Sequence, residues 1–175
     1  MTTERFDASL PIYALVLDPD RQASTVTVDL LSSLRRDHPS LRAMTTIAVR
    51  SRREEVNSLS SLGLWPSNAR AAPLALVVIE QSLGDCSPEF WGRGDESYRG
   101  IEGVAFTVQL TAELGISPKV IALTNRKGTS DDAGFEFAKA GAHAYVSKST
   151  DRTTVAMTML RFLEDFMRMH AISKQ

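Results

Sequence analysis

The sequence predicts an α/β domain: a five-stranded parallel sheet, doubly wound, with strands and helices alternating as (βα)5. Three observations carry this. Residues 74–79 read Leu-Ala-Leu-Val-Val-Ile, six apolar residues with no polar alternation. Such a run is the mark of a strand covered on both faces. Further short apolar runs recur along the chain, each followed by a segment with apolar residues at helical spacing. Finally, the runs end in polar or charged residues, Asp18, Glu80, Thr124 and Lys148. Open α/β sheets place their ligands beyond the carboxyl ends of the strands.

Taken in order, residues 1–11 are expected to form a polar tail and residues 12–175 a single domain. Residues 12–17, Ile-Tyr-Ala-Leu-Val-Leu, form the first strand and lead into Asp18-Pro19-Asp20. Residues 21–36 follow as a helix with Val28, Leu31 and Leu34 at helical spacing, capped by Asp20 or Ser24. His38-Pro39 stops it, because the residue before proline is pushed out of the α region. Residues 45–49 are the second strand. Ser51 and Glu54 have capping-box spacing, and the helix they open carries Val56, Leu59 and Leu62 before Gly63. After a connector at 65–73 comes the central strand. Residues 104–114 are a helix stopped by Gly115, and 120–123 a strand ending in Thr124-Asn125. Ser130 or Asp131 caps a helix with Phe135, Phe137 and Ala138 that ends at Gly141. Residues 142–146 are the fifth strand, before Ser147-Lys148. Asp151 caps a final helix across 151–172.

Composition excludes several classes of function. The chain has 175 residues, 43% of them hydrophobic and 23% charged, with a formal net charge of -1. That balance gives no general attraction to nucleic acid. No stretch is long and apolar enough for a membrane span, and the first residues lack the pattern of a signal peptide. One cysteine, Cys86, cannot pair internally, so a reducing, cytoplasmic location is expected. His38, His143 and His170 lie far apart, and no Cys/His spacing points to a bound metal.

The strand ends collect Asp18, Asp20, Glu80, Thr124 and Lys148 on one edge. In this order, residues 12–165 resemble the receiver domain of bacterial response regulators, a flavodoxin-like fold. The resemblance is most specific in Val120-Ile-Ala-Leu-Thr124 and in Ala140-Gly-Ala-His-Ala-Tyr145-Val-Ser-Lys148. It implies that Thr124 matches the hydroxyl that bonds an incoming phosphoryl group, and Lys148 the ammonium that pairs with it. Tyr145 would match the aromatic whose rotamer reports the state of the site, and Asp18 the first of the family's two neighbouring acids.

The departures are equally specific. Glu80 stands where the family has its phosphoacceptor aspartate, and Pro19 where it has the second magnesium-binding acid. Asp20 comes one residue later. Glutamate is longer by a methylene, and in-line phosphoryl transfer depends on positioning. Magnesium needs near-octahedral oxygen donors, so a lost carboxylate weakens its site. The expectation is a pseudo-receiver: a non-enzymatic signalling module without a cofactor, its phosphorylation site vestigial, acting through protein contacts. Nucleic acid would enter only through an output domain outside this chain. The alternatives are a phospho-accepting receiver with magnesium-dependent transfer and a small α/β enzyme or nucleotide binder. A Glu80–Lys148 ion pair is expected across the strand ends.

Two further features stand out. Residues 81–103 form a long loop over the carboxyl edge, with Phe90, Trp91 and Tyr98, expected either to be a surface insertion packed on its own aromatics or to cover the site or bind a ligand or partner there. In the final helix, Val155, Met159, Phe162, Phe166 and Met169 recur at the 3.5-residue average of a helix-pairing seam. This predicts a homodimer with Met159, Phe162, Phe166 and Met169 at its interface.

Overall fold

The computed structural model describes residues 11–50, 52–61, 73–80, 101–113, 115–124 and 136–172. Five strands form one sheet in the order β2-β1-β3-β4-β5, and every pairing is parallel. They are β1 (Ile12–Leu17), β2 (Met44–Val49), β3 (Leu74–Ile79), β4 (Lys119–Thr124) and β5 (Ala144–Ser147). The helices are α1 (Arg21–Asp37), α2 (Arg52–Ser61), α3 (Ile101–Glu113), α4, of which residues 136–139 are described, and α5 (Arg152–Ile172). A 3-10 turn, Pro39–Leu41, links α1 to β2.

Strand alternation divides the core in two. On one face Ala14, Val16, Leu76, Val78, Ile121 and Leu123 meet α1 and α5 through Leu31, Leu34, Met159 and Leu163. On the other, Leu15, Leu17, Val77, Ile79 and Ala122 meet Leu59 of α2, Val104 of α3 and Phe137 of α4. All six residues of β3 are buried, as the unbroken apolar run requires. This second face also carries a buried polar contact, in which the Thr107 hydroxyl donates to Glu55 Oε1 at 2.8 Å. No described helix is long and apolar enough to cross a membrane.

The glycine stops work through one device. At Gly115 and Gly141, φ is +69 and +97. In each case the glycine amide bonds three residues back and the next amide five back: Gly115 to Ala112, Ile116 to Thr111, Gly141 to Ala138, Ala142 to Phe137. This is the Schellman arrangement, which satisfies the last helical carbonyls. Because the Ala142 amide is spent this way, β5 starts at Ala144 and not at 142 as expected. A Cβ on Gly141 would also lie 2.9 Å from Cγ1 of Val108 in α3.

Other boundaries move too. β2 begins at Met44, and β4 gains Lys119 and Thr124. Of the expected loop at 81–103, residues 101–103 are the first turn of α3. Gly103 lies within this helix and not in the loop, since a helix interior carries a glycine at a cost of about 1 kcal/mol. Residues 81–100, with the loop aromatics and Cys86, lie outside the described residues, as do Ser51, Gly63, Ser130, Asp131 and the tail at 1–10.

The pairing seam on α5 is not available for a second copy. Met159 is fully buried, Phe166 is 8% exposed, and Phe162 packs on the same core. The two apolar stripes merge into one broad face against the sheet, because 3.6 residues per turn lets positions 155, 159, 160, 163 and 166 share one side. Of the four residues assigned to an interface only Met169 is exposed, at 65%. One exposed methionine makes no seam.

Candidate functional site

The site is built at the carboxyl ends of β1, β3 and β5. The Asp18 amide donates to the Val49 carbonyl at 3.1 Å, and the Glu80 amide to Leu17 at 2.7 Å. Each acid thus extends the ladder by one residue and is fixed at the sheet edge. From β5, the Lys148 amide donates to the Thr124 carbonyl at 2.9 Å. These backbone bonds aim three charged side chains at one point. Lys148 Nζ lies 2.7 Å from Asp18 Oδ2 and 2.5 Å from Glu80 Oε2. The side chains of Lys148, Asp18 and Glu80 are only 15%, 5% and 13% exposed. The expected Glu80–Lys148 pair is present, and Asp18 makes it a triad.

Asp18 spends its remaining oxygen locally. Oδ1 accepts from the Asp20 amide at 2.9 Å, an Asx turn across Pro19. Burial is the largest influence on Asp18 and holds its carboxyl above the ordinary 3.8; the bonds from Lys148 and Asp20 pull the other way without cancelling it. For Lys148, burial works against the ammonium. The bonds to Asp18 and Glu80 outweigh it and hold the group above the ordinary 10.5. Two carboxylates thus share one ammonium.

Asp20, expected at the site, is not in the triad. Its Oδ1 accepts from the Gln22 amide at 2.7 Å and the Ala23 amide at 3.1 Å, which caps α1. Those two bonds, first Ala23 and then Gln22, lower its pKa. Of the two cap candidates it is Asp20 that serves; Ser24 is buried within the first turns. Thr124 stands at the end of β4 beside Lys148, 2% exposed. Tyr145 points into the second core, stacked on Phe137 at 5.2 Å between ring centroids and 10° between planes.

Asp18 has both oxygens committed, Asp20 is turned to the helix, and an ammonium occupies the space between Asp18 and Glu80. Among the described residues no group of three His, Cys, Asp or Glu side chains could hold a metal ion.

Sequence reasoning missed Glu55 as a buried residue. The signal was present: Glu55 and Leu59 are four apart in α2 and share its inner face.

No family model matches the chain, and no curated protein matches it. Solved structures do. A BeF3-activated DrrB receiver domain is 20% identical, with 87% of this chain and 97% of that one covered and a TM-score of 0.57. The signal receiver domain of a putative Luxo repressor protein from Vibrio parahaemolyticus is 15% identical, covering 95% and 99%, with a TM-score of 0.59. A CheY-like response regulator receiver domain protein from Methanospirillum hungatei JF-1 is 14% identical, covering 90% and 98%, with a TM-score of 0.59. The five-stranded parallel sheet with helices on both faces is therefore the flavodoxin-like receiver fold.

Proposed function

We propose that the chain is a pseudo-receiver, a non-enzymatic signalling module that acts by contact with a protein partner and is not driven by phosphoryl transfer. The observation that supports this reading is the occupied lysine. In a phospho-accepting site the ammonium serves the incoming phosphoryl oxygens, and transfer is chiefly a matter of placing and neutralising charge. Here Lys148 is held by Asp18 and Glu80 at once. Glu80 stands at the acceptor position with a longer arm, drawn into that ion pair. Pro19 and the capping role of Asp20 leave magnesium without its second acid, so the proposal includes no cofactor. The triad holds one arrangement of charge at the strand ends, and the surface around it serves as a fixed docking face.

Intact-mass measurement after incubation with acetyl phosphate and magnesium tests the reading. The expected outcome is no gain of one phosphoryl group. A stoichiometric adduct that disappears in Glu80→Gln would establish the phospho-accepting reading instead.

A further inference from the structure

At the opposite, amino end of the sheet, Ser32, Arg35, Arg36 and Arg42 line an open cleft of about 560 Å³. We propose that this cleft is a binding site for a compact phosphate-rich anion, a small soluble molecule carrying a pyrophosphate or polyphosphate group. The proposal is independent of the function assigned to the ion triad.

The chain builds the cleft deliberately. α1 runs back from the carboxyl edge, so its last turn, with Arg35 and Arg36, lies at the amino edge. Ser32 is one turn earlier on the same side. His38 is extended at φ -116 and ψ 108 before Pro39, and the 3-10 turn Pro39–Leu41 reverses the chain. Leu41 and Met44 are buried at 0% and 1% exposure, and between them Arg42 is carried against the end of α1. The third guanidinium is thus placed by buried neighbours on both sides.

The charges are poorly matched within the protein. Arg36 donates to Ser33 Oγ at 3.1 Å and lies 4.0 Å from Asp37, with both side chains largely exposed. Among the described residues Arg35 and Arg42 make no ion pair. Among the described residues three guanidiniums therefore face one distant carboxylate, in a chain whose formal net charge is -1. Compensation of the helix dipole would explain Arg35 and Arg36, but not Arg42, which lies beyond the helix and its following turn.

Forked, always-charged donors match phosphate oxygens in pairs. The volume falls within the roughly 300–1,000 Å³ of small-molecule sites. Among the described residues no aromatic or aliphatic side chain lines it, so phosphates and not an apolar ring system would carry recognition.

Titration calorimetry of the full chain with sodium pyrophosphate, against sodium chloride at matched ionic strength, tests the site. Saturable one-site binding is expected. Arg42→Glu should abolish it, and Arg42→Lys should weaken it roughly tenfold or more, because the fork is lost while the charge stays. Arg161→Glu, an exposed α5 arginine outside the cleft, should leave it unchanged. Arg35→Gln gives the same reading should Arg42→Glu fail to fold. Binding that equals the chloride control, that survives Arg42→Glu, or that falls equally with Arg161→Glu would overturn the proposal. Anionic phospholipid vesicles form the second arm. Their capture without any pyrophosphate binding would also overturn it, whereas release of captured protein by free pyrophosphate would support it.

Discussion

The two ends of the sheet use charge in opposite ways. At the carboxyl end Asp18, Glu80 and Lys148 are largely withdrawn from solvent and pair with one another within 2.7 Å. At the amino end Arg35, Arg36 and Arg42 are exposed and, among the described residues, have one distant carboxylate to neutralise them. Desolvated ions must be satisfied internally, so the carboxyl end is bound up with folding. Solvated arginines cost the fold little and stay available to a ligand. The difference separates what the molecule needs to stand from what it can offer.

The largest expected effect lies at the carboxyl end. Lys148→Met should cost about 3–5 kcal/mol in urea unfolding, because two buried carboxylates are left facing each other. A loss under about 1 kcal/mol would place the triad among ordinary surface pairs and erase the contrast. The raised Lys148 pKa adds a pH signature. Its contribution is complete below 10.5 and is lost as pH rises through the higher folded value, so the unmodified protein should lose alkaline stability that Lys148→Met no longer has to lose.

A smaller effect is expected from His143, near the amino end of β4. Its Nδ1 accepts from the Val120 amide at 3.1 Å, and its ring meets Phe162 edge-on. Burial, then the Lys119 charge, holds its pKa below the ordinary 6.5. The folded state thus resists protonation. The stability this represents is present above 6.5 and is lost as pH falls through the depressed value. Thermal unfolding between pH 7 and pH 5 should show the decline, and His143→Gln should flatten it. An identical slope in both proteins would remove His143 from the account.

The smallest effect belongs to the arginines. Arg42→Glu should change stability by no more than about 0.5 kcal/mol, the range of exposed substitutions. A larger loss would mean that the amino-end charges also hold the fold.

The fold was legible because its signals are local and redundant. Leu74–Ile79 carries the unbroken apolar run and β-branched content that favour a covered strand, and the glycines at 115 and 141 sit where helices stop. The triad was legible in part. Strand ends fix where Glu80 and Lys148 emerge, but whether a side chain turns to the site or to its own backbone is decided within two or three residues. Asp18 and Asp20 show this: Pro19 sends one inward and leaves the other to cap α1. The α5 stripe misled because spacing near 3.5 serves a pairing seam and a broad core face alike; only the packing of Met159 and Phe166 decides. The arginine cleft was not legible at all, since Arg42 joins Arg35 and Arg36 through a chain reversal whose geometry no spacing encodes.

The place of β1 inside the sheet, between β2 and β3, has a kinetic consequence. Both its partners come later in the chain, β2 soon and β3 much later, where Leu17 pairs with Ile79. Until β3 arrives, an almost wholly apolar segment has one edge open. Pairings this far apart in sequence form slowly and leave sticky edges exposed during synthesis. Early α1, which can lay Leu31 and Leu34 over one side of β1, is then the natural shield against aggregation while the chain waits for its centre.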